Sequence, residues 1–321
     1  MTAGRAGRGG GGDDAADLPL AATVAQRFYV DERNKQSIAE ELGISRFKVA
    51  RLLALAKEAG LVTIEIHPPL GLDVAAGDEL RRRYGLAEAW VLGRELSDDD
   101  ALRTQLGQLG ARWLRGATPT DGAIGLSWGR TMAAVVDAVD VLPRCQVVQV
   151  AGGLPSAFDD GASRLVHRLA ARSGGQVSSL HAPLLTSDAR VADSLLADPA
   201  NAATVTAFSN LDLVMLGVGS WPGASPLRPA LHDDDVAALA RRGAVAEICG
   251  MFLDTSGSIV DEGLRDRTIA IGPAALAQVP SVIAVAGGRS KAAAIGALLR
   301  SGVCTHLITD IGAVRALDQG A

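Results

Sequence analysis

The sequence predicts an α/β protein in two parts: a winged helix-turn-helix module, then a doubly wound, mostly parallel α/β domain. Between Leu18 and Ala59 apolar residues recur at helical spacing around a glycine turn. Beyond Leu72, short β-branched runs alternate with alanine-rich helical stretches, the order expected of a parallel sheet covered on both faces. Several of those runs end in glycine-rich turns, where such sheets hold ligands.

The 321 residues, 48% of them apolar, suffice for two domains, one of them large. A net charge of −5 argues against a chain coated in nucleic acid. It leaves room for one small DNA-reading module, because that signal is local. Cys145, Cys249 and Cys304 are odd in number, far apart and set in apolar stretches. That suits neither a disulfide framework nor a CxxC metal site, so buried, reduced thiols of a cytoplasmic protein are expected. No metal is expected. No apolar run approaches the roughly 18 residues of a membrane span. Residues 1–17 are glycine-rich with Arg5 and Arg8, lack the apolar stretch of a signal peptide, and read as a disordered tail.

From Leu18 to Asp31, Ala21, Val24, Ala25 and Phe28 fall at helical spacing. A second helix is expected from Lys35 to Leu42, with Ile38, Ala39 and Leu42 inward. Gly43-Ile44-Ser45 breaks the pattern, and Ser45 is a good N-cap for a third helix over Arg46–Ala59. There Val49, Leu52, Leu53 and Ala56 form one apolar stripe. Ala39, Gly43 and Val49 supply the small residue, turn glycine and aliphatic that let two such helices cross closely.

Opposite the stripe stand Phe47 and Arg51, flanked by Arg46 and Lys48. Arg51 suits guanine edges and Phe47 thymine methyls, whereas Arg46 and Lys48 suit phosphates. With Lys35, Gln36 and Ser45 they form the candidate set for double-stranded operator DNA. The alternative is a solvated basic face on a structural bundle; spacing and charge together favour DNA. Leu61–Ile66 alternates as a wing strand would, and Pro68-Pro69 closes the module. The expected division is 1–17 tail, 18–68 DNA-binding domain and 69–321 effector domain.

In the large domain, strands are expected at Ala89–Leu92, Ala123–Leu126, Gln146–Ala151, Leu213–Val218, Ala244–Cys249, Val282–Ala286 and His306–Thr309. Helices are expected over Asp98–Arg115, Ser163–Arg172, Asp234–Arg241 and Lys291–Arg300. At one strand-to-helix turn Ser127, Gly129, Arg130 and Thr131 bring amides, hydroxyls and a guanidinium to one place, as an anion requires. Gly152-Gly153, Gly217 with Gly219, and Gly287-Gly288 ahead of Lys291 mark three further turns. Any one such glycine is more often structural; four turns together favour an anionic or polyhydroxyl ligand. Asp254 is placed either to accept sugar hydroxyls or to form an Asx turn. His181 either lines the pocket or does not. The stripe Leu102, Leu106, Leu109, Trp113 is either core or an oligomer seam, with core favoured. The P-loop lysine and the GxGxxG spacing are both missing, so no nucleotide and no cofactor is expected.

QSIAEELGISRFKVARLLALAKEAGLV, GLSWGRTM, VVQVAGG, LGVGS, GMFLDTSG, AVAGGRSKAAAI and HLITDIGA together make the chain resemble the SorC/DeoR family of sugar-binding transcriptional regulators. The likeness runs through nearly the whole chain after Leu18. It implies a sensing domain of sugar-phosphate isomerase/deaminase type, binding a sugar, sugar phosphate or polyol, in a homodimer or homotetramer. On matching positions it implies that Ser127, Gly129, Arg130 and Thr131, with Lys291, meet the phosphate or polar head. Asp254 would hold hydroxyls, and Gly152, Gly153, Gly217 and Gly219 would let the ligand near the backbone. The expected function is a one-component regulator of a carbohydrate-related operon and not an enzyme. The rival is a sugar-phosphate isomerase or deaminase with an appended DNA module, for which Asp254, Glu247 or His181 are the candidate bases and Lys291 the candidate amine.

Overall fold

The computed structural model describes residues 11–63, 71–154, 161–223, 225–261 and 263–319. The chain divides into two compact units, 1–67 and 68–321.

In the first unit, α1 (Gly11–Tyr29), α2 (Lys35–Leu42) and α3 (Arg46–Glu58) enclose Ala21, Val24, Ile38, Ala39, Val49, Leu52 and Ala56. Asn34 caps α2 by accepting from Gln36 N and Ser37 N at 3.0 and 2.9 Å. Gly43 ends α2 at φ 63°, a conformation that glycine adopts at little steric cost. Ser45 then caps α3, its Oγ accepting from Lys48 N at 3.1 Å. One expectation needs correction. Helix α1 begins at Gly11, not Leu18, so residues 11–17 of the expected tail are helical. Their anchor is tertiary: the Asp17 carboxylate pairs with Arg51 and Lys48 of α3, a partnership that no local pattern displays. Of the expected wing, Leu61–Thr63 forms no strand, and residues 64–66 lie outside the described residues, as does Pro68-Pro69.

Ten strands are described in the second unit. They are β1 (Glu88–Leu92), β2 (Ala123–Leu126), β3 (Gln146–Gln149), β4 (Val177–Ser178), β5 (Leu213–Gly217), β6 (Gly219–Ser220), β7 (Ala244–Ile248), β8 (Met251–Asp254), β9 (Ser281–Val285) and β10 (His306–Asp310). Seven of them form one sheet in the order β1-β10-β9-β5-β2-β3-β4, and every pairing in it is parallel. Its inner strands are apolar on both faces. In β5, Leu213 and Met215 pack into one core with Ile283 and Val285 of β9, while Val214 and Leu216 pack into the other with Val282 and Ala284. That two-sided burial explains why these strands read as continuous apolar runs.

Helix α4 (Val74–Tyr84) precedes β1, and α5 (Asp99–Ala117) follows it. The next helix, α6 (Arg130–Ala138), leaves β2 and packs closely on α5. The stripe Leu102, Leu106, Leu109, Trp113 is buried within this unit's own core.

Strand β7 departs from expectation. It lies in a second, antiparallel sheet, β6-β7-β8, instead of the parallel one. The cause is a two-residue reversal at Cys249-Gly250, both at positive φ (51° and 77°), which folds β8 directly back on β7. The sequence shows Cys-Gly there, not the Asn-Gly or Asp-Gly that announces such a hairpin. No helix among the described residues is long and apolar enough to cross a membrane.

Candidate functional site

The winding of the parallel sheet reverses between β2 and β5. From β2 the chain proceeds through β3 to β4 on one side; β5, β9, β10 and β1 lie on the other. The carboxyl ends of strands at such a reversal part to leave a crevice. Here it is a cavity of about 330 Å³. The turn after β2 lines it with Ser127–Met132, the turn after β5 with Gly217–Ser220, and the turn after β9 with Gly287, Ser290 and Lys291. Helix α5 adds Asp99, Leu102, Arg103 and Leu106, and the β7 hairpin adds Glu247 and Cys249.

Two glycines shape the amide-bearing turns. Gly129, at φ 126°, opens α6 with no side-chain cap, so the first-turn N–H groups of Arg130, Thr131 and Met132 belong to a cavity-lining helix start. Gly288, at φ 94°, opens a short 3-10 turn over Arg289–Lys291. That turn is pinned by Asp310, whose Oδ1 accepts from Gly288 N at 2.6 Å and whose Oδ2 accepts from Gly312 N at 2.9 Å. Ser127 ties two walls together, its Oγ accepting from Gly217 N at 3.2 Å. At Gly217 an added Cβ would meet only Trp128 O, at 3.9 Å, so the backbone there is open to a ligand.

The cavity gathers Arg103, Arg130 and Lys291 with the carboxyls of Asp99 and Glu247. Lys291 Nζ donates to Val218 O at 2.8 Å. Burial lowers the Lys291 ammonium below its ordinary range, and Arg130 and Arg103 push the same way. Burial lifts the Glu247 carboxyl to about 7, against the Gly250 N–H (2.7 Å from Oε1) and the Lys291 charge, which both lower it. Near neutrality Glu247 can therefore offer either a proton or a lone pair to a hydroxyl. Burial, with Glu247 adding to it, pushes the Cys249 thiol up to about 12 and keeps it protonated.

Of the residues singled out in sequence, Ser127, Gly129, Arg130, Thr131, Gly217, Gly219, Glu247 and Lys291 come together in this lining. Gly152, Gly153 and Asp254 lie outside it. A Cβ on Gly152 would fall 2.5 Å from Pro183 O, so that glycine permits a close backbone crossing. Gly153 completes the crossing, its N donating to Ala182 O and its O accepting from Leu184 N. Asp254 forms an Asx turn, its Oδ1 accepting from Ser256 N and Ser258 N at 2.8 and 2.9 Å and from Ser256 Oγ at 2.6 Å. The Ser256 hydroxyl, first among these bonds, holds its carboxyl below the usual range. His181 is also outside the lining; its backbone N donates to Asn201 Oδ1. Sequence reasoning did not place Asp99, Arg103 or Cys249 here, because α5 and the β7 hairpin reach the cavity only through tertiary packing.

In the first unit, Phe47 is 90% exposed, and Arg46 and Arg51 are exposed beside it on α3. Lys48 and Arg51 both reach the Asp17 carboxylate. Ser45 spends its hydroxyl on the α3 cap. Gln36 donates to Glu40 Oε1 at 2.8 Å, and Lys35 lies 5.7 Å over the Phe28 ring.

Residues 69–317 match the family described as "Putative sugar-binding domain". The deoxyribonucleoside regulator of Bacillus subtilis is 29% identical over 95% of this chain and 98% of its own length. A transcriptional regulator LsrR from Klebsiella pneumoniae subsp. pneumoniae is 30% identical over 94% of this chain and 93% of its own. The crystal structure of the full-length sorbitol operon regulator SorC from Klebsiella pneumoniae superposes with a TM-score of 0.72 at 25% identity, covering 94% of this chain and 98% of that one.

Proposed function

The chain belongs to the SorC/DeoR family of sugar-binding transcriptional regulators, and from that premise we propose that its cavity takes the phosphate or polyol head of a small sugar-type effector while α2 and α3 read operator DNA. One observation carries the effector reading: Arg103, Arg130 and Lys291 converge with the uncapped start of α6 at the sheet's switch point. Fixed cations and helix-start amides together form an anion site, and the hydroxyls of Ser127, Thr131, Ser220 and Ser290 add polar partners. Glu247, at the opposite chemical extreme, suits the hydroxyl-bearing part of the same molecule. On the DNA side, Phe47 and Arg51 read bases, and Arg46, Lys48, Lys35 and Gln36 contact the backbone. Ser45 fixes the start of the reading helix.

The protein acts in the cytoplasm as a homodimer or homotetramer, placing two reading helices on half-sites one helical turn or a multiple apart. The effector shifts the population of subunit arrangements by binding them unequally.

Thermal unfolding of the full chain against sugars, polyols and their phosphates tests this reading. A compound at 100 times its Kd adds about 2.7 kcal/mol of stability. A stabilising phosphorylated compound whose effect vanishes in Lys291→Ala is the expected result, with no turnover of that compound. An unchanged response in Lys291→Ala would remove Lys291 from the site.

A further inference from the structure

The reading face of α3 faces a carboxylate supplied by another helix. Asp17 Oδ2 accepts from Arg51 Nη2 at 2.6 Å, and Asp17 Oδ1 lies 3.6 Å from Lys48 Nζ. Lys48 and Arg51 are one turn apart on α3, so a single anion serves both. The Asp17 side chain is 17% exposed, whereas Arg51 keeps 61% of its exposure. Arg51 is thus held from its sheltered side with donors left over, since a guanidinium carries five N–H groups.

An ion pair with so exposed a partner contributes little to stability, at most about 1 kcal/mol. Its effect on what the face can bind is larger in kind. A phosphate brought to Lys48 or Arg51 comes within a Debye length of the Asp17 charge and is repelled. Guanine O6 and N7 are neutral acceptors, so Arg51 can donate to them while still paired with Asp17. The carboxylate therefore penalises backbone contacts, which every DNA offers, more than the base contact that only the right sequence offers.

We infer that Asp17 is a specificity-determining residue of the DNA-reading face, orienting Arg51 toward base edges and suppressing sequence-independent binding. This rests on the DNA reading proposed above and deepens it.

The test uses the full-length protein. A duplex is selected from a randomised pool by the wild-type chain, and its Kd and that of a scrambled duplex of equal composition are measured across a salt series. Asp17→Asn keeps the side chain's size and removes its charge. It should bind the scrambled duplex about two- to fivefold tighter. Its salt slope should steepen by about 0.9 for each cation released. The ratio between selected and scrambled duplexes should fall, and Asp17→Glu should restore it. Equal changes on both duplexes, or an unchanged ratio with a lowered Tm, would show a merely structural tether and overturn the inference. Failure of the wild-type chain to enrich or bind any duplex would overturn the DNA reading and this inference with it.

Discussion

Glu247 is 6% exposed, and the Gly250 N–H whose hydrogen bond it accepts and the Lys291 charge both pull its carboxyl toward ionisation. Burial nevertheless lifts it to about 7, from 4.5 in the unfolded chain. The folded chain holds this proton more tightly than the unfolded one. Its stabilising contribution is therefore complete below about pH 4.5 and is lost as pH rises through about 7. The difference corresponds to roughly 3 kcal/mol. Glu247→Gln should lose this slope: its Tm should change less than the wild type's between those two pH values. Parallel profiles would mean that Glu247 is not the titrating group. The position of Lys291 at the cavity was legible in sequence because a cation beside a double glycine after an apolar run marks a helix start. Glu247 was legible only as one of three candidate bases, since nothing local in VAEICG places it at the cavity.

Helices α5 and α6 meet backbone to backbone at Gly107, where an added Cβ would lie 2.6 Å from Ala134 O and 2.9 Å from Ala134 Cβ. Neither neighbour can move without shifting a helix. Gly107→Val should therefore destabilise the protein by about 1–3 kcal/mol or more, read as a lower urea midpoint at unchanged m-value. Because α5 also carries Asp99 and Arg103 into the cavity, effector affinity should fall with it. A variant with wild-type midpoint would show that the α5–α6 contact is loose. Helix spacing in α5 was plain from Leu102, Leu106, Leu109 and Trp113, but the same stripe suited a core or a seam. Only the packing against α6 and the sheet assigns it to the core. The hairpin of β7 and β8 escaped for a different reason: positive φ at Cys249 is imposed by the strands it joins, not by cysteine's own preference.

For the whole molecule, effector and operator are linked through one chain, so their coupling must be reciprocal. If the effector changes operator Kd by some factor, saturating operator must change effector Kd by the same factor. Couplings of this kind span about 5- to 150-fold. Titrating the stabilising compound with and without saturating duplex measures the second factor directly. Equal factors are expected; a change in neither Kd would remove the switch from the proposed function and leave two independent binding activities.

By itself the sequence determined what local physics decides: α2, α3, their caps and glycine turn, the apolar strands, and the glycine turns that carry Ser127, Arg130 and Lys291. Hydrophobic period, φ preference and capping act within a few residues, so they leave a readable trace. Tertiary structure alone decided which turns share a cavity, because sheet order sets β2 beside β5 and leaves Gly152, Gly153 and Asp254 outside the lining. It likewise brought Glu247 and Arg103 to that cavity and Asp17 to Arg51, contacts between residues dozens of positions apart whose energy no local pattern encodes.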